Sequence, residues 1–370
     1  MASFECQPRL VIFGCGGVGL ELIRQVVRLQ QTSKACVRIL GVADSIHLLL
    51  SKSDFLDLGA LESIVTAKGD GKSMESIQGT ICQPLAQGTE ALLRGAPSGA
   101  RYILADCTAS EETGRVLADG LAAGWMVVLA NKKPITGSMS LYKQLTADMT
   151  RFRCESTCGA GMPIMAAVRR VVRSGDPVSK MAGALSGTLG YVMSGLEEGK
   201  SLSAVVIEAK AKGFTEPDPR DDLSGLDVAR KALILARSLG WDLEISDVQV
   251  ESLFPAALAP DAMSVDDFMA SGIQTLDQTF KEKVHAASSK GEVLRYAAQV
   301  EDGKCSVGLL SVDKNSPLGR LSGTDNLFYL QSDCYSPNPL VIQGRGAGTA
   351  ATASGVLADI LELMDCNSLS

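Results

Sequence analysis

Between Gly213 and Lys231 the chain reads Gly-Phe-Thr-Glu-Pro-Asp-Pro-Arg-Asp-Asp-Leu-Ser-Gly-Leu-Asp-Val-Ala-Arg-Lys, a run of carboxylates closed by a lysine. Prolines at 217 and 219 exclude helix there and hold Glu216 and Asp218 on a stiff loop. A helix is expected from about Ser224 to Gly240, with Asp222 or Ser224 as N-cap. Val228, Ala232, Leu235 and Leu239 form its apolar face, while Arg230 and Arg237 point the opposite way, towards solvent. At ~100° per residue Lys231 falls only ~60° from the centre of that face, with Asp227 beside it at i,i+4 spacing. An acid and a base therefore border the core, as proton transfer requires. A snorkelling lysine in a surface pair worth about 0.2–0.5 kcal/mol gives the same pattern, so the neighbouring loop is what favours chemistry.

A second constellation opens the chain. Gly14, Gly16 and Gly19 follow the apolar run Arg9–Phe13 and precede an amphipathic stretch to Leu29, which reads as strand, glycine turn and helix. Such a turn, Gly14 to Gly19 with Gly17 and Val18 inside it, lets backbone approach a pyrophosphate while the helix N-terminus supplies N–H donors and positive potential. The next strand, Val37 to Ala43, ends in Asp44, which is placed to accept hydrogen bonds from ribose hydroxyls and to repel the extra phosphate of NADP. That favours NAD. Lys52 is the nearest cation along the chain that could meet such a phosphate.

The elements that must position these groups alternate. Tyr102–Ala105 runs into Asp106, Cys107 and Thr108; a helical stretch reaches Ala123; the strand Met126–Ala130 runs into Asn131 and Lys132. Alternation implies a parallel, doubly wound sheet of the Rossmann type, with ligands beyond the carboxyl ends of its strands, where Thr108 and Lys132 lie. Residues 45–99 give no confident assignment. After Arg153 longer helices appear, followed from about Val293 by strands with polar turns, an α+β pattern with a mixed sheet. Gly344-Arg-Gly-Ala-Gly348 opens a last, Ala-rich helix to Met364 that is expected to return to the cofactor. The expected domains are 1–153 for the dinucleotide, 154–343 for catalysis and dimerisation, and 344–370 folding back.

Composition narrows the classes. With 46% hydrophobic and 21% charged residues over 370, the chain is globular and long enough for two cores. A formal net charge of -7 gives no cationic field for nucleic acid or anionic membrane. The N-terminal Met-Ala-Ser-Phe-Glu-Cys-Gln-Pro is no leader, no apolar run reaches the ~18 residues of a membrane helix, and the cysteines form no CxxC pair. A cytoplasmic protein is expected.

From Gly213 to Lys231 the sequence closely resembles the central signature of the homoserine dehydrogenase family. The resemblance extends to the glycine turn, Asn131-Lys132, Glu155-Ser-Thr-Cys-Gly-Ala-Gly-Met-Pro163, Leu185-Ser-Gly-Thr188 and Gly346-Ala-Gly348. It implies reversible NAD(P)H-dependent reduction of L-aspartate 4-semialdehyde to L-homoserine, a step towards threonine and methionine. Lys231 is then the proton donor and Lys132 a second candidate; Glu216 and Asp227 hold the amino-acid end of the substrate, and Asp222 orients the lysine. Hydride arriving at the aldehyde carbon leaves charge on oxygen, which an ammonium stabilises and protonates. Gly213 and Gly346 join the cofactor set. Glu155, Cys158, Ala160 and Met162 match a loop that holds a monovalent cation such as Na+, with Cys158 standing where the family has an apolar residue. A homodimer is implied, and no small-molecule-sensing module or kinase domain is expected.

Two other functions compete. A thiol at Cys158 before a helix suggests an acylating aldehyde dehydrogenase, but only His47 and His285 exist to pair with it, neither in a motif. A dinucleotide-binding sensor that lost turnover is the other, and the occupied catalytic positions count against it.

Overall fold

Alternating apolar runs and glycine turns produce two compact units, residues 1–161 with 348–370, and residues 162–347. The structure, a computed structural model, describes residues 8–32, 37–97 and 100–366, so the expectation about the N-terminal segment falls outside the described residues. Residues 154–161 stay with the first unit because Glu155 N–H donates to Asp359 Oδ2 at 2.8 Å and Ser156 Oγ to the Thr352 carbonyl at 2.8 Å, both on the C-terminal helix. Residues 344–347 stay with the second.

In the first unit the order is β1 (Arg9–Phe13), α1 (Gly17–Thr32), β2 (Arg38–Ala43), β3 (His47–Ser51), α2 (Leu58–Gly69), β4 (Thr80–Pro84), α3 (Leu85–Gly95), β5 (Tyr102–Asp106), α4 (Thr113–Ala122), β6 (Met126–Leu129), α5 (Lys133–Thr136), α6 (Met139–Thr146) and β7 (Phe152–Arg153). The sheet runs β4-β3-β2-β1-β5-β6-β7. Strands β2, β1, β5, β6 and β7 are parallel, as expected, but β3 and β4 are antiparallel. The expectation of a wholly parallel sheet is therefore corrected to a mixed one. Residues 47–51 turn back directly against β2, and residues 80–84, reached after α2, turn back again against β3 at the edge.

The chain leaves β1 towards β2 on one side and later returns as β5 on the other, which makes the carboxyl ends of β1 and β5 the switch point where ligands sit in such sheets. Gly14 occupies that point with φ of 100°; a methyl there would meet the Cys107 carbonyl at 2.9 Å. The core beneath is Leu10, Ile12, Leu22, Ile23, Val42 and Ile103, capped by Ala353, Val356, Ile360 and Leu363 of the C-terminal helix.

The second unit comprises α7 (Ile164–Arg173), β8 (Val178–Ala184), α8 (Gly187–Glu197), α9 (Leu202–Ala211), α10 (Pro219–Leu223), α11 (Leu226–Ser238), β9 (Gln249–Val250), α12 (Val265–Asp267), α13 (Asp277–Ser288), β10 (Glu292–Glu301), β11 (Lys304–Asp313), β12 (Asn326–Ser332) and β13 (Leu340–Gly344); α14 (Thr349–Cys366) then rejoins the first. Its sheet runs β13-β12-β8-β10-β11-β9, antiparallel apart from β9 beside β11, with α8, α11 and α13 against β10.

Three local expectations are corrected. Pro219 does not exclude helix but begins α10, since the first helical position needs no N–H, and Asp218 caps it through the Arg220 N–H at 3.0 Å. Neither Asp222 nor Ser224 caps the long helix; α11 follows Gly225, whose left-handed backbone (φ 77°) makes the turn. Arg237 is not in solvent: it is 2% exposed, because residues 241–244 fold back and the Leu243 carbonyl and Glu244 carboxylate accept its guanidinium.

The glycine turn leads to the first expected outcome. Gly14→Ala combines a left-handed backbone with a clash against the Cys107 carbonyl, so it should cost about 1–3 kcal/mol, read as a lower midpoint in thermal or urea denaturation; an unchanged midpoint would mean the turn accepts a side chain.

Candidate functional site

In the first unit the turn at the switch point is anchored from both sides: Gly14 N–H donates to the Ala43 carbonyl and Cys107 N–H to the Phe13 carbonyl, each at 2.8 Å. A methyl on Gly16 would meet nothing within 4 Å, so the approach above the start of α1 is open. Val18 is half-buried and Gly19 packs under Gly14, while Gly17 touches Thr349 of α14. Asp44 accepts from the Ile46 and His47 N–H groups at 2.9 and 2.8 Å and from Lys68 Nζ at 3.0 Å. Burial alone would raise its carboxyl, but those backbone bonds and the Lys68 ammonium hold it below the usual range. Lys68 pairs with Asp44 from α2, in the segment that gave no clear assignment in sequence.

At the end of β5, Asp106 is fully buried and accepts from Thr108 N–H at 2.9 Å, Thr113 Oγ1 at 2.6 Å and Asn131 Nδ2 at 3.0 Å. Asn131 Oδ1 accepts in turn from the Lys133 N–H at 3.1 Å. This buried network fixes Thr108 and presents Lys132, half-buried, at the start of α5. Asp106 and Asn131 are therefore the organisers, and Lys132 and Thr108 are what they organise.

The loop after β7 is tightly set. Glu155 is 7% exposed, Cys158 0% and Ala160 6%, with Gly159 and Ala160 both left-handed (φ 90° and 56°). Asp359 of α14 is pushed up to about 7, first by burial and then by the charges of Glu155 and Glu362. The crowding of Asp359 by Glu155 and Glu362 is a concentration of negative charge that a cation would relieve. Met162 falls in the second unit. Among the described residues no group of three or more His, Cys, Asp or Glu side chains could hold a metal ion, so any cation would depend on carbonyls. Complete burial of Cys158, six residues before α7 begins at Ile164, leaves no thiol surface for attack on a substrate.

The second unit brings the acid loop and the lysine together. Lys231, 9% exposed, donates to the Leu185 carbonyl at 2.6 Å and lies 2.9 Å from Asp227 Oδ2. Leu185 directly follows β8 and leads into α8, capped by Ser186; Thr188 on that helix donates to the Phe214 carbonyl at 2.5 Å, next to Thr215 and Glu216. Glu216 N–H donates to Asp222 Oδ2 at 2.8 Å. Asp222 is raised above the usual carboxylate range, chiefly by burial and further by the charges of Glu216 and Asp227, against the bonds from Glu216 N–H and Thr188. The Thr188 hydroxyl has one proton and serves two acceptors, so a protonated Asp222 would relieve the competition.

Sequence reasoning missed the staple that holds this loop. The Arg220 guanidinium, 2% exposed, bonds Asp218, the Leu258 carbonyl at 3.1 Å and the Met263 carbonyl at 2.7 Å, and lies 5.1 Å from the Phe268 ring centroid. An arginine between acids in a proline loop was the available signal. Gly213 (φ 70°) ends α9 and Gly346 lies buried after β13.

The raised Asp222 carboxyl has a pH consequence. An acid lifted on folding stabilises most below its ordinary value, about pH 4, and loses that contribution as pH rises through the lifted value. Asp222→Asn should therefore raise Tm relative to the parent at about pH 8, with the gain vanishing towards about pH 4. A gain independent of pH would contradict the assignment.

Comparison with known proteins agrees with this geometry. Residues 14–155 match the model "Homoserine dehydrogenase, NAD binding domain" and residues 163–361 the model "Homoserine dehydrogenase". A bifunctional aspartokinase/homoserine dehydrogenase of Haemophilus influenzae is 37% identical over 96% of this chain, which spans only 42% of that relative's length. The homoserine dehydrogenase of Emericella nidulans is 35% identical over 96% of this chain and 98% of its own. A Candida auris crystal structure described as of unknown function superposes with a TM-score of 0.84 at 32% identity, covering 97% of this chain and 98% of that one. A hyperthermophilic archaeal homoserine dehydrogenase in complex with NADPH shares the fold (TM-score 0.72, 22% identity, 96% of this chain and 97% of that one). With a nicotinamide-dinucleotide unit ahead of an acid loop and a buried lysine, and family models matched on both units, the chain belongs to the homoserine dehydrogenase family.

Proposed function

We propose that the chain catalyses reversible reduction of L-aspartate 4-semialdehyde to L-homoserine with a nicotinamide dinucleotide, a step towards threonine and methionine. The observation that carries this reading is the Lys231 ammonium, buried against the Leu185 carbonyl and Asp227 beside the Glu216–Asp222 loop. A four-carbon amino acid presents one ammonium and one carbonyl carbon to be reduced. Glu216 and Asp227, both exposed enough to meet a ligand, bind the ammonium; Lys231 protonates the oxygen as charge develops there. Asp222 fixes the acid loop through the Glu216 N–H and in that way orients the surroundings of the lysine. Lys132 is the second candidate donor.

The dinucleotide, when bound, supplies the hydride. Its pyrophosphate is held by the backbone of Gly14, Gly16, Gly17, Val18 and Gly19, with Thr108, Lys132, Gly213 and Gly346 completing the set. Asp44 takes the ribose hydroxyls, and because Lys68 is already spent on Asp44 the site favours NAD over NADP. The NAD-binding family model over residues 14–155, with the archaeal neighbour's complex with NADPH, supports a nicotinamide cofactor. Glu155 and the carbonyls of Cys158, Ala160 and Met162 would hold a monovalent cation, which supplies positive charge to the crowded Glu155 and Asp359 pair. A homodimer is proposed from the edge strand β13, where Val341 is 39% exposed between half-buried Leu340 and Ile342, an apolar strand open to a partner. Among the described residues no helix is long and apolar enough to cross a membrane.

Initial rates with homoserine and with aspartate semialdehyde, each against NAD(H) and NADP(H), test the reading: no absorbance change at ~340 nm with either amino acid while dinucleotide still binds would favour a sensor instead. Lys231→Met should lower kcat by ~10² to ~10⁴ with dinucleotide Kd nearly unchanged. Near-normal kcat in that variant would transfer the proton donor's role to Lys132. Glu216→Ala should mainly raise the KM for homoserine, and Cys158→Ala should keep activity.

A further inference from the structure

Asn326 opens β12 and is fully buried, yet neither its Nδ2 nor its Oδ1 has a hydrogen-bond partner. Its neighbours place it at the working end of the second sheet. Leu327 pairs with Ala184, so Asn326 lies level with Leu185, whose carbonyl takes the Lys231 ammonium. On its other side Asn326 pairs with Gly344, the last residue of β13. The turn before it presses on the first turn of α8, where a methyl on Gly190 would meet the Gly323 carbonyl at 3.0 Å and one on Gly187 the Thr324 carbonyl at 3.1 Å. Gly346 packs so closely that a methyl there would land on the Asn326 carboxamide.

A carboxamide shut away from solvent without a partner is costly, so this arrangement lacks a donor and an acceptor. The backbone that packs on the carboxamide and could supply both is the segment Gly344–Ala347, whose two glycines leave its peptides free to turn. We infer that Asn326 is a positioning residue: when the amino-acid substrate is bound, its Nδ2 donates to one carbonyl of that segment and its Oδ1 accepts one N–H, fixing the segment at the end of the sheet where the Leu185 carbonyl takes the Lys231 ammonium. The inference rests on the proposed activity for the identity of the substrate, but the unpaired carboxamide stands without it. Asn326 does not touch substrate; it acts through Gly346 and its neighbours.

Asn326→Leu, close in size and without polar atoms, separates this role from a merely structural one. Leucine removes the unpaired groups from the ligand-free state, so Tm in buffer should be unchanged or higher, while the KM for homoserine should rise about tenfold or more with kcat within about threefold. Asn326→Ser, which keeps a hydroxyl able to donate and accept, should recover part of that KM and serves if the leucine variant does not fold. An unchanged KM overturns the inference, and so does a ligand-free Tm lowered by about 5 °C or more, because the carboxamide would then already be bonded without substrate. If the unaltered chain does not oxidise homoserine, the proposed activity falls, and the ligand-free Tm alone decides: a leucine variant at least as stable keeps the inference, and a destabilised one ends it.

Discussion

A lysine ammonium held almost out of water is the constraint around which the second unit is arranged. Lys231 has one backbone carbonyl at 2.6 Å and one carboxylate at 2.9 Å, and its remaining surface is 9% of the residue. Removing a charge from water is costly unless its hydrogen bonds are replaced, so both partners have to be placed by rigid elements. Leu185 is fixed because it directly follows a central strand, and Asp227 because it sits one turn earlier on the same helix. The acid loop is held by means that leave the ammonium alone, namely Arg220 below it and Thr188 beside it.

The first unit meets a different constraint, close approach of backbone to a polyanion. Its answer is a turn stripped of side chains at the switch point, backed by the buried Asp106–Asn131 network that aims the strand ends. Helix α14, far along the chain, completes this unit by filling its core and by bonding the 155–160 loop. Residues that belong to one task are thus contributed by distant stretches of sequence, and polar contacts to backbone recur at each junction.

Much of this was legible in the sequence because its signals are local. The strand, glycine turn and helix at the start carry their own geometry, and the i,i+4 spacing of Asp227 and Lys231 predicts the ion pair that forms. What escaped depends on distant partners. Helical periodicity sends Arg237 to solvent, but a later loop supplies acceptors and buries it. The prolines of the acid loop suggested extended chain, whereas Pro219 starts a short helix. Short leucine-rich β3 has no periodicity long enough to reveal an antiparallel edge. Lys68 and Arg220 are lysine and arginine like any others until tertiary structure brings Asp44 and two carbonyls to them.

The central claim is spatial, and a crystal structure of the chain with dinucleotide and homoserine tests it most directly. The account predicts Lys231 Nζ within about 3.2 Å of the homoserine hydroxyl oxygen, with the substrate ammonium between the carboxylates of Glu216 and Asp227. Lys231 turned away from that oxygen, or the ammonium bound elsewhere, would contradict it.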